Sequence, residues 1–281
     1  NNRSMSKIIK QINKKFFNFN KSGLKLFDVS LRDGLQSKKQ IYTLNEKKDL
    51  LHKIIDEYHP KSIELGSIVS KNILPQMNNS IDLYKYAINL EHDIDYYLLV
   101  PNKKKLKIAL DNDIKNMSFI SSFSNSFQKK NINKSLQETI NEIREIDNIL
   151  QENNLINNKL YLSCFNDCPI EKEISEDEIL FNIIQYSNLK SFNEICLSDT
   201  TGNLKVDDFV KIFYQIRKLI NINNLSLHLH VKKNNENNII EIIKEGFKLD
   251  LNKLDISCID EGGCSVTMNK SELNSNLNYN L

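Results

Sequence analysis

The sequence contains no tryptophan, only seven glycines and four prolines, and no apolar run close to the length of a membrane helix. A helix that spans a bilayer needs about 20 consecutive apolar residues, so we predict no membrane partner. The 281 residues are 40% hydrophobic and 26% charged, which favours a globular chain with a sizeable core. The scarcity of glycine also argues against a nucleotide-binding open sheet, because that fold would need a glycine-rich turn after its first strand.

Neither the charge nor the cysteine content indicates a specialised partner or a disulfide-rich protein. The 38 basic and 36 acidic residues give a formal net charge of +2 and are mixed along the chain, so we predict no nucleic-acid partner. An odd number of cysteines, five in a long chain, argues against a disulfide framework. Cys164 and Cys168 lie close in sequence, but no second Cys or His pair follows at ligand spacing, which argues against a zinc site there.

The first residues differ from the rest in charge. Residues 1–27 contain no acidic residue, and isoleucines and phenylalanines lie among the basic residues. The seven basic residues are Arg3, Lys7, Lys10, Lys14, Lys15, Lys21 and Lys25. We interpret residues 1–23 as a basic N-terminal extension. A basic, acid-free, amphipathic leader is typical of a transit peptide and would direct the protein to the mitochondrion or another organelle. The alternative is a solvated extension without an address.

From residue 24 onward, short β-rich runs alternate with longer amphipathic stretches. The eight predicted strands are residues 24–30, 62–67, 95–100, 117–123, 159–164, 194–198, 225–231 and 253–259. The predicted helical stretches are 44–58, 106–110, 135–152, 174–188, 205–221 and 235–247, with helix starts at Asn45-Glu46 and Ser175-Glu176-Asp177. Eight βα units in about 250 residues predict an α/β fold, the (β/α)8 or TIM barrel, for a single domain of residues 24–281. Because little sequence follows the eighth strand, we expect the C-terminal end of the barrel to be incomplete.

Active sites of such barrels form at the C-terminal ends of the strands. His228 and His230 are two residues apart on the seventh predicted strand, so both side chains point to the same face. Asp33 follows the first strand, which neighbours the seventh and eighth once the barrel closes. Imidazole and carboxylate ligands without thiolate favour a divalent cation such as Mg²⁺ or Mn²⁺, with Zn²⁺ as an alternative.

Four further residues at the strand ends are candidates for catalysis. Arg32 is suited to hold a carbonyl or carboxylate oxygen on which negative charge develops, although it could instead form a structural salt bridge. Glu64 and Asp199 are candidates for a proton-transfer or orienting network, or else ordinary strand-end caps. Cys264 follows two glycines, which predicts a loop able to reach a bound substrate, and the alternative is a buried structural thiol.

Several motifs resemble one enzyme family. Arg32-Asp33-Gly34-Leu35-Gln36 resembles the signature of a metal-dependent lyase and synthase superfamily built on this barrel. Further stretches, in the same order along residues 24–281, resemble the 3-hydroxy-3-methylglutaryl-CoA lyase family in particular. They are Ser67-Ile68-Val69-Ser70, Pro75-Gln76-Met77, Pro101-Asn102, Phe127 with Lys129-Lys130-Asn131-Ile132-Asn133, Ser163-Cys164 with Cys168-Pro169, Asp199-Thr200 and Gly262-Gly263-Cys264.

The resemblance implies an enzyme that cleaves 3-hydroxy-3-methylglutaryl-CoA to acetyl-CoA and acetoacetate, a reaction of leucine breakdown and ketone-body formation. It implies an acyl-CoA substrate and a homodimer. The family pattern assigns the metal to Asp33, His228, His230 and an asparagine. That asparagine corresponds to Asn276, with Asn274 and Asn269 as alternatives.

The same pattern places Arg32 and Gln36 on the substrate and gives Cys264 the proton transfer to the enolate. Glu64, Asp199 and His228 would be the supporting acid–base groups.

The chain departs from the family pattern at three places near the site. One is Ser275-Asn276-Leu277, where the family has Gly-Asn-Leu after a slightly shorter spacer. Val231-Lys232-Lys233 follows His230, where the family usually has an acidic residue, and Ser265-Val266-Thr267-Met268 follows Cys264, where the family is richer in proline, aromatic and small residues. Two alternatives therefore stay open. One is a Claisen-type synthase of the same superfamily that makes an isopropylmalate- or homocitrate-like acid. The other is a catalytically silent barrel that acts as a binding or scaffold protein.

Overall fold

A computed structural model describes residues 23–232, 234–259 and 275–279. In this part of the chain eight parallel strands form a closed barrel, because the eighth strand pairs with both the seventh and the first. The strands are β1 Lys25–Asp28, β2 Ser62–Ser67, β3 Asp95–Leu99, β4 Asn116–Ser122, β5 Asn158–Ser163, β6 Phe192–Asp199, β7 Leu225–Val231 and β8 Lys253–Ile256. The predicted (β/α)8 barrel is confirmed.

Helices connect every pair of consecutive strands and pack around the barrel. They are α1 Leu44–Tyr58, α2 Ser80–Ala87, α3 Lys103–Asp111, α4 Asn125–Ile132, α5 Leu136–Glu152, α6 Glu176–Tyr186, α7 Val206–Ile216 and α8 Glu236–Lys248. The sequence prediction missed α2 and α4, each only eight residues long. Among the described helices, none combines the length and the apolar surface that a bilayer crossing requires.

Capping boxes start three of these helices. The Ser175 side chain accepts a hydrogen bond from the backbone N–H of Glu178, whose carboxylate accepts from Ser175 in return, which confirms the predicted start of α6. Thr43 and Glu46 form the same arrangement at α1, so the predicted start at Asn45-Glu46 was wrong by two residues. Ser135 and Glu138 do so at α5.

The barrel interior combines charged side chains with small aromatic and apolar clusters, whereas the layer between strands and helices is apolar. On β5, Leu160 and Leu162 belong to the main apolar core, while Lys159 and Tyr161 alternate with them and face inward. Lys159, Glu64 and Asp255 are at most 2% exposed, so charged groups lie at the centre of the fold. Charges buried in this way need partners, and these partners build the site.

Two predicted strands end at least two residues earlier than the sequence suggested. The prediction carried the first strand to residue 30, but β1 ends at Asp28 and Ser30–Gly34 form one turn of π-helix. The eighth strand ends at Ile256 rather than at residue 259. After the undescribed residues 260–274, Ser275 and Asn276 pair antiparallel with Val231 and His230 at the end of β7. The predicted extension at 1–23 lies, apart from Gly23, outside the described residues, so its proposed organelle address stays a prediction.

Candidate active site

The turn after β1 positions Arg32 and Asp33 over the barrel mouth. The Asp28 carboxylate accepts hydrogen bonds from the backbone N–H of Ser30 at 2.9 Å and from the Ser30 hydroxyl at 3.0 Å, which fixes the start of the turn. A Cβ at Gly34 would lie 2.9 Å from Ile259 Cβ, closer than packed carbon atoms approach. Glycine in the Arg-Asp-Gly motif therefore lets the turn pack against the segment that follows β8.

Asp33, His228 and His230 converge at one point, as the sequence predicted. Each offers a ligand atom within 4.8 Å of those of the other two, and each residue is at most 6% exposed. The His228 Nε2 atom lies 4.0 Å from Asp33 Oδ2 and 3.4 Å from His230 Nε2. This buried group of one carboxylate and two imidazoles is consistent with a divalent metal site.

Hydrogen bonds at the far side of each ring determine which nitrogen carries the lone pair. His230 Nδ1 lies 2.8 Å from the backbone carbonyl of Asp199, and a carbonyl can only accept, so Nδ1 donates. His228 Nδ1 lies 3.0 Å from the Asp255 carboxylate, which likewise accepts. In their neutral forms both rings therefore direct an Nε2 lone pair toward Asp33, and this is the arrangement of metal-ligating histidines.

Electrostatics keep Asp33 and His230 in their ligating forms. Burial lowers the pKa of His230 to about 4, with a further contribution from His228, so the ring is neutral at neutral pH. Burial acts to raise the pKa of Asp33, but Arg32, His228 and His230 overcome it and hold that pKa well below its usual range. An ionised Asp33 carboxylate thus faces the neutral imidazole of His230.

Arg32 lies between two carboxylates at the edge of this group. Its Nε donates to Glu64 Oε2 at 2.5 Å and its Nη1 to Asp33 Oδ1 at 2.6 Å. Glu64 also accepts from the hydroxyls of Ser118 and, at 3.3 Å, Tyr161. The salt bridges considered as the structural alternative for Arg32 are present, and Arg32 lines the cavity as well.

Asp199 shapes the loop after β6. Its carboxylate accepts from the backbone N–H groups of Asn203 and Leu204, both at 3.2 Å, and burial raises its pKa to about 6. Its carbonyl orients His230. The carboxylate contacts are those of the strand-end cap considered from sequence, and the contact with His230 comes from the backbone; a part for the Asp199 side chain in proton transfer stays a prediction.

Asn276 lies next to the candidate metal site formed by Asp33, His228 and His230. It is opposite His230 in the register with β7, and its side chain hydrogen-bonds the Asp33 carboxylate. Cys264, Asn269 and Asn274 lie outside the described residues.

A cavity of about 270 Å³ opens above these groups at the C-terminal end of the barrel. Its polar side is formed by Arg32, Asp33, Gln36, His228, His230, Ser67, Ser163, Ser198 and Thr200. Its apolar side includes Leu99, Pro101, Ile120, Phe127 and Tyr161. A pocket with a convergent polar end and an apolar wall fits a ligand that carries oxygens on a carbon chain.

The charged groups below the histidines were not predicted from the sequence as part of the site. Lys159 of β5, Glu194 of β6 and Asp255 of β8 form a buried network that ends on His228. The available signal was a charged residue inside each of three predicted strands, where a charge needs a buried partner. Tyr161 was also missed, because an aromatic residue in a strand is ordinarily core.

Comparison with known proteins decides the family. A family model described as HMGL-like matches residues 23–235. The chain belongs to the HMGL-like family. Its match spans 67% of hydroxymethylglutaryl-CoA lyase YngG from Bacillus subtilis, with 28% identity over 72% of this chain. The mitochondrial hydroxymethylglutaryl-CoA lyase of Gallus gallus is 26% identical over 88% of this chain and 81% of its own length. For the Arabidopsis thaliana mitochondrial enzyme the match is 25% identical and spans half of that protein.

Solved structures of HMGL-like proteins share the barrel. An HMG-CoA lyase from Acinetobacter baumannii, in complex with coenzyme A and 3-methylmalate, superposes with a TM-score of 0.80 at 25% identity, over 91% of this chain and 80% of that one. The Bacillus subtilis HMG-CoA lyase gives a TM-score of 0.79 at 24% identity, over 90% and 82% of the two chains. The HMGL-like fold of this chain is therefore established by sequence and by structure.

Proposed function

We propose that this HMGL-like protein is a divalent-metal-dependent lyase that cleaves 3-hydroxy-3-methylglutaryl-CoA to acetyl-CoA and acetoacetate. The observation that carries the proposal is the convergence of Asp33, His228 and His230, with both Nε2 lone pairs directed inward, beside Arg32 at the barrel mouth. The names of the relatives above support the same reaction.

The residues present suit a metal ion. Asp33, His228 and His230 would hold it, and we propose Asn276 as the fourth ligand because it lies opposite His230 and contacts Asp33. Oxygen and imidazole donors favour Mg²⁺ or Mn²⁺, with Zn²⁺ as the alternative. A cation bound there lowers the pKa of a coordinated hydroxyl and stabilises negative charge on its oxygen.

Arg32 would position the substrate oxygens. Two of its five N–H donors contact Glu64 and Asp33, and the guanidinium lines the cavity, so we assign its other donors to a substrate carbonyl or carboxylate oxygen. Glu64 holds the guanidinium at a fixed angle, because it is itself fixed by Ser118 and Tyr161. Gln36 lines the same cavity and is proposed as a second substrate contact.

The proposed cleavage needs a proton removed and a proton delivered. The tertiary hydroxyl loses its proton as its C–O bond becomes the ketone of acetoacetate, and the electrons of the broken C–C bond form the enolate of acetyl-CoA. The enolate carbon then takes a proton, which we assign to the Cys264 thiol by family likeness. Asp255 holds the Nδ1–H of His228, whose Nε2 would bind the metal, so His228 would support this step as a ligand. The Glu64 carboxylate orients Arg32, and the backbone carbonyl of Asp199 orients His230.

An acetoacetate-release assay on the hydroxymethylglutaryl thioester, with Mn²⁺, with Mg²⁺ and with chelator, tests the proposal. Activity should disappear in chelator and in His228→Ala and Cys264→Ala variants, and persist in His92→Ala, an exposed histidine. Condensation of acetyl-CoA with a keto acid would instead identify a synthase. A folded protein that turns over neither substrate would identify a silent barrel.

We also propose that the protein is a homodimer, as the family likeness implies. Light scattering on the purified protein would measure its mass directly. A mass of about one chain, 32.7 kDa, would contradict this proposal without bearing on the reaction.

A further inference from the structure

Lys159 is a fully buried cation at the centre of the barrel, below the cavity. It lies on β5, and its Nζ contacts Asp255 Oδ1 and, at 2.9 Å, Glu194 Oε1. The same Nζ lies 3.6 Å from the centroid of the Phe27 ring. A charged lysine in this place is costly compared with an apolar side chain of similar volume, so its contacts call for an explanation beyond packing.

The two oxygens of Asp255 divide between Lys159 and His228. Oδ1 accepts from the lysine, and Oδ2 lies 3.0 Å from His228 Nδ1. A lysine ammonium has three donors and no acceptor, so it can only donate, and the carboxylate it holds is an acceptor on both oxygens. His228 Nδ1 must then carry the hydrogen, which leaves Nε2 as the lone pair that faces Asp33 and His230.

We infer that Lys159 is a positioning residue of this site: by holding Asp255, it fixes the ring orientation and the tautomer of His228. His230 is oriented differently, by the backbone carbonyl of Asp199. A carboxylate could rotate and rebind, so the His228 side of the site depends on a second anchor. The inference rests on the proposed function only in taking these histidines as metal ligands.

The chain provides a matched control for this role. Lys253 Nζ lies 3.2 Å from Glu194 Oε2, so Lys253 and Lys159 share Glu194 as a partner. Of these two lysines, Lys159 has the described ion pair with Asp255. Lys253→Met therefore removes a neighbouring positive charge and leaves the contact between Asp255 and His228 in place.

The experiment compares Lys159→Met, Lys159→Arg and Lys253→Met with the wild-type protein, without acyl-CoA. Titration calorimetry with Mn²⁺ should show affinity lowered by about 10- to 100-fold in Lys159→Met, the usual range when a residue that orients a ligand is lost. Lys159→Arg, which keeps the cation, should restore most of the affinity, and Lys253→Met should bind as the wild type does. In metal-free, ¹⁵N-histidine-labelled protein, His228 should carry its proton on Nδ1 in the wild type and show a mixture of tautomers in Lys159→Met.

A folded Lys159→Met variant with wild-type Mn²⁺ affinity and an unchanged His228 spectrum would overturn the inference. If Lys159→Met does not fold, Asp255→Asn, close in shape to the native residue, is measured in the same two ways, and wild-type affinity there would equally reject the role. Neither readout needs turnover. Wild-type protein that binds Mn²⁺ but releases no acetoacetate would therefore refute the lyase proposal alone.

Discussion

The Nε2 atoms of His228 and His230 face each other at 3.4 Å, and in the neutral form of the two rings neither carries a hydrogen. Asp199 and Asp255 occupy the Nδ1–H groups on the far side of the two rings. The two Nε2 lone pairs and the negative Asp33 carboxylate therefore lie close together in a buried site. They repel one another there, because little solvent screens the interaction. A cation removes that repulsion, so the site is built for a bound positive charge.

Metal binding should accordingly stabilise the protein. A ligand that binds only the folded state adds about 2.7 kcal/mol to the free energy of unfolding at a concentration 100 times its Kd. We expect Mn²⁺ to raise the melting temperature of the wild type and of His92→Ala, and chelator to reverse the rise. His230→Ala should lose most of the increase. Equal increases in His230→Ala and in the wild type, measured by calorimetry, would show that the cation binds elsewhere.

Ser198 should contribute to substrate binding. Its hydroxyl lines the cavity, is buried, and has no hydrogen-bond partner among the described residues. A substrate oxygen that accepted this hydrogen bond would gain about 0.5–1.5 kcal/mol. We expect Ser198→Ala to raise KM for the thioester by up to about tenfold with unchanged stability, because no described protein hydrogen bond is lost.

Ser121→Ala is the control for that variant. The Ser121 hydroxyl lies 2.6 Å from the Tyr186 hydroxyl, away from the cavity lining. This substitution should lower the free energy of unfolding by about 1 kcal/mol and leave KM unchanged. If Ser198→Ala instead loses stability and keeps its KM, its hydroxyl has a structural role and the proposed contact is wrong.

The parts of this molecule that could be predicted from sequence are those with local signals. Strands β2 and β7 agree in both bounds with their predicted ranges, because aliphatic residues alternate with polar ones or glycine along each of them. The candidate metal site of Asp33, His228 and His230 could also be predicted. His228 and His230 share a strand face, and closure of the barrel brings Asp33, after the first strand, close to the seventh.

What failed depended on contacts between distant residues. The π-helical turn at Ser30–Gly34 is fixed by the Asp28 carboxylate and by the close approach of Ile259, and no periodic pattern announces either. The role of Lys159 could not be assigned, because its partner Asp255 lies 96 residues further along the chain. A charge in a strand indicates that a partner exists, but only the register of the barrel identifies it.

Gly34 should tolerate no side chain. An added Cβ would lie 2.9 Å from Ile259 Cβ and 3.1 Å from Ser257 Oγ, so either the turn or the end of the eighth strand must move. We expect Gly34→Ala to lower the free energy of unfolding by about 1–3 kcal/mol and to displace Arg32 and Asp33, with a loss of the proposed lyase activity. Urea unfolding measures the first effect.

Gly246→Ala is the matched control in helix α8. There an added Cβ would lie 3.2 Å from Leu251 Cδ2, the end of a flexible side chain that can move. In addition, alanine stabilises a helix interior relative to glycine. The two variants should therefore differ in sign or at least clearly in size. Equal effects would mean that backbone entropy, rather than the contact with Ile259, decides the glycine at residue 34.

Asp28 should make stability fall as pH rises. Burial raises the pKa of its carboxyl from 3.8 to about 7, whereas the unfolded chain ionises near the ordinary value. Between these two pH values the folded state holds a proton that the unfolded state has lost, so raising the pH favours unfolding. The stabilisation is fully present below about pH 4 and is lost as the pH approaches 7, with a magnitude of a few kcal/mol.

Asp28→Asn isolates this contribution from other groups that titrate in the same range. Asparagine stays neutral and keeps an oxygen to accept from the Ser30 N–H, so the β1 turn should persist. Urea unfolding at pH 5, 6, 7 and 8 should show the wild type losing more stability than the variant across the interval. Parallel curves for the two proteins would mean that Asp28 is ionised across this pH range, because the Ser30 hydrogen bonds offset the cost of burial. The turn would then carry a negative charge next to the site at each of these pH values.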